Sequence, residues 1–311
     1  MKGMELARAY YEDYGRALID GPLAAYKSAI AVGLVGEGSE CFGYDDAFST
    51  DHDFGPGFCI WVPQALYDQA GAALEAAYAS LPEEYLGYRR VATPQAGKRV
   101  GVWGIEAFYA RYTGLARPPR DNLEWLRIPE DFLAVATNGE VFFDAPGLFS
   151  QWRAQLLDFY PEDVLRKKLA CRCAIMAQSG QYNYGRSMAR GDGHAAYLAC
   201  ATFIQSALSA IHLLNGRYAP FYKWLFRSAE DLPLFRASVL RLKALAETPD
   251  SADHGPEKCA LIEAVCTDIA DHLAARGYTQ TREPFLQVQG EALIRGIADS
   301  RLRAMHIMVD K

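Results

Sequence analysis

The chain lacks any long run of Lys or Arg: 32 basic residues are spread among 38 acidic ones over 311 positions, for a formal net charge of -6. A molecule with that field repels polyanions, which argues against a general nucleic-acid binder and leaves room only for a local basic pocket the size of one nucleotide. The N-terminal stretch MKGMELARAYYEDYGRAL has no apolar core of the signal-peptide kind; its charges are threaded through an amphipathic pattern, so we expect a first helix of a cytoplasmic protein. There is no C-x-x-C pair. Seven cysteines stand at 41, 59, 171, 173, 200, 259 and 266, mostly inside apolar patterns, and the C-x-C at 171 and 173 has no companion cluster. Reduced, buried thiols are expected, and zinc is not. Internal repeats and low-complexity linkers are absent too. The longest apolar run, residues 195–215, contains Gln205, two serines and His212, which favours a buried core helix over a membrane span.

What is present is an ordinary globular composition, half apolar and 23% charged, at a length that favours two domains over one. Residues 1–150 mix helices with short β-rich runs at 30–35, 58–63, 89–94, 99–108 and 132–147, the last with Asn138-Gly139 as a hairpin signal. From Gln151 the pattern is helical, with expected helices near 150–160, 162–180, 191–215, 218–228, 231–247, 255–275 and 288–308. A ligand is expected in a cleft between the two halves.

Residues 36–58, GEGSECFGYDDAFSTDHDFGPGF, concentrate the chemistry. The spacing predicts a buried strand over 30–35 that turns into a helix at GEGSE, with Gly38 permitting close backbone approach and Ser39 as N-cap; such a junction offers free N-H groups to a phosphate. Beyond it, the apolar end of STDHDFGPGFCIWV reads as a strand beginning near Asp51. Alternation then puts Asp51 and Asp53 on one face and His52 on the other. Two carboxylates on one face repel unless a cation or protons separate them. An EF-hand starting at Asp51 fails, because Gly55, Pro56 and Val62 stand where its fifth, sixth and twelfth residues belong. Asp45 and Asp46 read as solvated turn residues.

Gly-Ser at a strand-to-helix junction, eleven residues, then D-x-D resembles the signature of the nucleotidyltransferase superfamily. Together with SGQYNYGRSMARGD and YAPFYKWLF, the stretch is similar to an uncharacterised bacterial family of nucleotidyltransferase-like proteins with a helical C-terminal domain. The resemblance implies an α+β domain over 1–150, a small mixed sheet with helices, followed by an all-α bundle over 151–311 that closes the active site. It also implies that Gly38 and Ser39 hold the phosphates of a nucleoside triphosphate, that Asp51 and Asp53 bind one or two magnesium ions, and that a third carboxylate comes from a later strand. Glu106 is the best-placed candidate for that acid and Asp144 the next.

In the helical half, Arg186 and Arg190 are spaced i, i+4 and suit a triphosphate. Tyr184 suits stacking on a base or core packing, and Lys223 a phosphate contact or a snorkelling surface position. The Arg190-His194 pair is one residue short of the spacing in helical ribonuclease domains, and the other histidines form no metal-ligand spacing. The expected activity is magnesium-dependent transfer of a nucleoside monophosphate to a hydroxyl of a small molecule or protein. The alternative is a catalytically silent nucleotide-binding protein; a D-x-D glycosyltransferase would need a longer sheet before the motif.

Overall fold

The computed structural model describes residues 1–50, 54–90 and 98–310. It is an α+β protein, a small mixed sheet with many helices, that divides into two compact units. One unit comprises Met1–Pro118 and Phe132–Asp158, the other Pro119–Asp131 and Phe159–Lys311. Where the sequence suggests one boundary near residue 150, the chain passes between the units three times, and 119–131 belongs with the second.

In the first unit, β1 (Ala31–Leu34), β2 (Cys59–Val62), β5 (Gly101–Gly104) and β6 (Glu140–Asp144) form a sheet in the order β5-β2-β1-β6. A separate two-stranded ribbon pairs β3 (Glu84–Tyr85) with β4 (Tyr88–Arg89). β1 is antiparallel to β2 and β6, whereas β2 and β5 are parallel. A parallel pair needs a long crossover, which the helix Gln64–Ala79 supplies. Side chains alternate across the sheet, so Val32, Ile60, Val62 and Val102 enter one core with Tyr10, Tyr11, Leu18, Ile19 and Leu74. Trp61 points the other way, where it stacks on Phe149 at 3.9 Å between ring centres with Phe108 edge-on at 5.4 Å. With both faces covered, the strands read as unbroken apolar runs rather than alternating ones.

Two expectations change here. Asn138-Gly139 does not join two strands; it joins the helix Glu130–Thr137 to β6. The left-handed glycine (φ 63°) that suits a hairpin equally suits a helix C-terminus, and the preceding FLAVAT continues the helical turn. The strand expected from Asp51 onward is shorter in the described residues: β2 starts at Cys59, and Phe54–Phe58 belong to no strand. Pro56 has no N-H to give a ladder, and the carbonyls of Gly55 and Pro56 are taken by the Arg90 guanidinium at 2.8 and 3.0 Å.

The second unit is helical. Glu162–Met176 runs on as a π-helical stretch, Ala177–Tyr184, and packs against Gly193–Leu214 and Leu286–Arg295. Gly193–Leu214 is long and apolar enough to cross a membrane by length and composition, but Phe203, Ala207, Leu208 and Ile211 are buried within the unit. His212 is fully buried too, bonded to Leu208 O at 2.8 Å and Ser228 Oγ at 2.9 Å, and burial lowers its pKa, keeping it neutral. The run expected over 288–308 is two helices, Leu286–Arg295 and Ser300–Ala304. All seven cysteines are unpaired and six are buried.

The register of β1 against β6 shifts between Val32 and Gly33. This bulge requires glycine: a Cβ on Gly33 would lie 2.3 Å from Glu140 O and 2.9 Å from Val141 Cα. Gly33→Ala should therefore destabilise the protein by about 1–3 kcal/mol in urea unfolding. Gly71→Ala, in the crossover helix with ordinary 3.4 Å contacts, should be neutral or stabilising by up to about 1 kcal/mol.

Candidate functional site

β1 ends in a turn that the Asn138 amide fixes from both sides, accepting Gly36 N-H at 2.9 Å and donating to Gly36 O at 2.8 Å. Gly139 N-H adds a bond to Cys41 O at 2.8 Å. The turn opens a short helix, Ser39–Phe42, whose N-cap is Gly38 (φ 129°); Ser39 is its first residue and makes no side-chain cap, contrary to the N-cap role expected of it. Gly38 is glycine for a local reason. The Glu40 carboxylate folds back over it, so that a Cβ there would stand 2.5 Å from Glu40 Oε2. The space the sequence offers to a phosphate is thus taken by the chain's own carboxylate. Burial pushes the Glu40 carboxyl above its ordinary value, opposed by its own amide N-H, Arg99 and Arg90.

Asp45 is buried rather than solvated. Its Oδ2 accepts the Gly3 N-H at 2.8 Å, anchoring the start of the helix Gly3–Tyr10, with Lys2 Nζ 3.6 Å from Oδ1. Asp46 is the exposed turn residue expected, accepting from Phe48 N at 2.9 Å and Ser49 N at 3.2 Å.

Asp51 and Asp53 lie outside the described residues. Phe54, which follows them, is buried. A Cβ on Gly3 would meet Glu40 Cβ at 2.6 Å and Phe54 Cε2 at 2.9 Å, so Gly3 is held between the two. Phe54 and the helix that starts with Ser39 therefore both pack on the start of the helix Gly3–Tyr10. Among the described residues no group of three or more His, Cys, Asp or Glu is placed to hold a metal ion.

Glu106 stands elsewhere. Cys59 of β2 pairs with both Gly33 near the end of β1 and Gly101 at the start of β5, while Val62 and Gly104 pair at the opposite edge. Glu106, two residues past Gly104, lies at that far edge, where its Oε2 accepts the Gln64 N-H at 2.8 Å and caps the crossover helix. Asp144, opposite Ala31, is at the same far edge and accepts the Ser150 N-H at 2.8 Å. Neither joins Gly38 and Ser39; both cap helix starts.

The helical-unit residues are not gathered either. Tyr184 is fully buried, donating to Asp250 Oδ1 at 3.0 Å beside Lys258 Nζ, 2.6 Å from the same oxygen. Arg186 is exposed, 4.7 Å over the Tyr182 ring; Arg190 is exposed at the end of the helix Gly185–Ala189; and Lys223 is exposed, 4.9 Å over Trp224. None of the four lines a cavity of about 610 Å³ within the unit. The groups that do are Lys168, Arg172, Glu130 and Asp310, which the sequence reading passed over. The available signal was the set of cations at 166, 167, 168 and 172 inside the otherwise apolar LRKKLACRCAIM.

Residues 125–225 match a family described as a domain of unknown function (DUF4037), a segment that includes β6 and all but four of the residues lining that cavity, the exceptions being Leu123, Met305, Val309 and Asp310. No curated protein and no solved structure matches the chain.

Two outcomes follow from these assignments. Glu106→Ala should cost about 1 kcal/mol of stability, the worth of a lost cap, and leave any ligand affinity at Gly38 unchanged in titration calorimetry. Glu40 titrates above the ordinary 4.5 when folded, so the native state holds that proton more tightly than the unfolded chain. Its contribution to stability therefore falls as pH rises from 4.5 through the raised value. Glu40→Gln removes that fall, and urea unfolding should show the variant gaining on the wild type as pH increases over this window.

Proposed function

We propose that the chain is a magnesium-dependent nucleotidyltransferase, with Asp51 and Asp53 holding the cation and the Gly38-Ser39 turn receiving the phosphates of a nucleoside triphosphate. The observation that supports this best is the position of Gly3 between Glu40 and Phe54. It brings Glu40, the residue after Ser39, and Phe54, the residue after Asp53, to the same glycine. The antiparallel pairing of β1 with β2 agrees, since it places the end of one strand beside the start of the other. Magnesium is commonly held by one or two carboxylates together with substrate phosphate oxygens, so Asp51 and Asp53 suffice without a third acid. The bound cation would neutralise phosphate charge.

In the reaction an acceptor hydroxyl forms a bond to the α-phosphorus, the bond from that phosphorus to the pyrophosphate oxygen breaks, and the hydroxyl proton passes to a base or to solvent. The acceptor is a small molecule or a protein side chain. One pair of observations favours a second reading, a nucleotide-binding protein without turnover. Both candidate third acids, Glu106 and Asp144, cap helices at the far edge of the sheet.

Incubation with magnesium and each α-labelled nucleoside triphosphate, with and without cell extract, separates the two. Transfer should produce label on an acceptor together with pyrophosphate, and Asp51→Asn with Asp53→Asn should lower both by at least about 100-fold. Binding without pyrophosphate release would select the second reading. Metal-dependent binding that survives the double substitution would remove the site assignment altogether.

A further inference from the structure

The cavity of about 610 Å³ in the second unit has a charged floor. Lys168 and Arg172 stand one turn apart on the helix Glu162–Met176, with side chains 1% and 13% exposed. Arg172 is bound to Glu130 Oε1 at 2.7 Å and to Ser209 Oγ at 2.7 Å, and Ser209 in turn donates to Glu130 Oε2 at 2.9 Å. That triangle is complete: the Glu130 carboxylate has both oxygens satisfied. Lys168 is different. Its ammonium is held by Asp310 Oδ1 at 2.7 Å, from a segment that follows the helix Ser300–Ala304.

Asp310 is an ill-fitting occupant. Its backbone has φ 96°, a conformation disfavoured for any residue with a side chain. Its Oδ2 is buried without a hydrogen bond and approaches Arg172 only to 3.3 Å. Burial raises its carboxyl pKa despite Lys168 and Arg172, whereas at Glu130 burial is outweighed by the same two cations together with the hydrogen bonds from Ser209 and Arg172, which lower its pKa. With Asp310 withdrawn, Lys168, Arg172 and Glu130 sum to one positive charge, and Arg127 and Asp131 in the cavity wall cancel. One acid group is what the floor then requires. Above it are Phe221, Tyr222, Leu126 and Leu225, surfaces for an apolar body.

We propose that this cavity binds a small molecule with one acid group, a carboxylate or a phosphate, on an apolar or aromatic body, and that the Asp310 carboxylate occupies the acid's place until it is displaced. A free acid reaches Lys168 without backbone strain and brings its own geometry to both cations. The inference rests on the second unit alone and does not depend on the nucleotidyltransferase reading.

The test is titration calorimetry of the full chain with benzoate, phenyl phosphate and uncharged phenol. Asp310→Asn removes the competing charge and should tighten at least one acid by about tenfold while leaving phenol unchanged; which acid gains identifies the ligand's acid group. Lys168→Met combined with Asp310→Asn deletes both charges together, leaves no buried charge unpaired, and should abolish the gain. In the wild type, where no variant has to fold, saturating acid should speed amide hydrogen exchange in the peptide covering 305–310 and slow it in 165–175. The proposal is overturned if neither acid gains in Asp310→Asn, if the double variant binds as well as the single one, or if exchange over 305–310 is unchanged when acid binds.

Discussion

A cation is taken out of water only against counter-charge and hydrogen bonds, and the second unit is built around meeting that requirement for three cations on one helix. Lys167 and Lys168 are fully buried and Arg172 nearly so. Lys167 donates to His306 O at 2.7 Å, with the carbonyls of Met305 and Ile307 at 3.4 and 3.5 Å, all three past the end of the helix Ser300–Ala304. Arg172 reaches Asp310 O at 2.6 Å. One helix thus straps down the segment 305–310 with three successive cations, and it reaches Glu130 through the last of them. The helix Gly193–Leu214 contributes Ser209 to the same network, so the longest apolar element of the unit has a polar anchor there as well as at His212. Packing alone specifies such a helix less sharply than a polar contact that has a single satisfied geometry.

The first unit meets a different constraint. A four-stranded sheet of four- and five-residue strands, covered on both faces, leaves little room for error in register. Glycine absorbs it at two points. Gly33 lets β6 approach at the bulge, and Gly139, whose Cβ would lie 2.0 Å from Leu34 O, lets the chain enter β6 directly beside β1. The Asn138 amide that locks Gly36 is part of the same device. The turn at the end of β1 is therefore shaped from residues a hundred positions away.

The parts of this architecture that were legible in the sequence are those set by local periodicity. The apolar runs at 30–35 and 58–63, the helices of residues 151–275 and the buried role of His212 follow from which residues repeat on a face. The parts that were not depend on partners distant in sequence. Nothing local distinguishes an Asn-Gly hairpin from an Asn-Gly helix end, since both use the same left-handed backbone. Glu106 looks like a strand-end acid until the parallel pairing of β2 with β5 shows that it emerges at the wrong edge. Gly38 reads as a phosphate turn because the fold-back of Glu40, two residues on, is a side-chain rotamer and not a pattern. The cations at 167, 168 and 172 carry the opposite lesson. Charge on a helix is normally assigned to water, and only partners distant in sequence, Glu130, Ser209 and the segment 305–310, explain why these are inside.

The stacking of Phe149 on Trp61, and the pairing of β6 with β1, make the first unit discontinuous: its last strand and last helix come after the piece 119–131 that belongs to the second. Synthesis proceeds from the N-terminus, so β1 must wait with an open edge, and Trp61 with an uncovered face, until about residue 158 has left the ribosome. During that interval the segment 119–131 has emerged, but the helices it belongs with have not. The order of the genetic message thus delays the first unit until residue 158 and leaves the segment 119–131 to wait longer still for its own helices, with the edge of β1 open in the meantime.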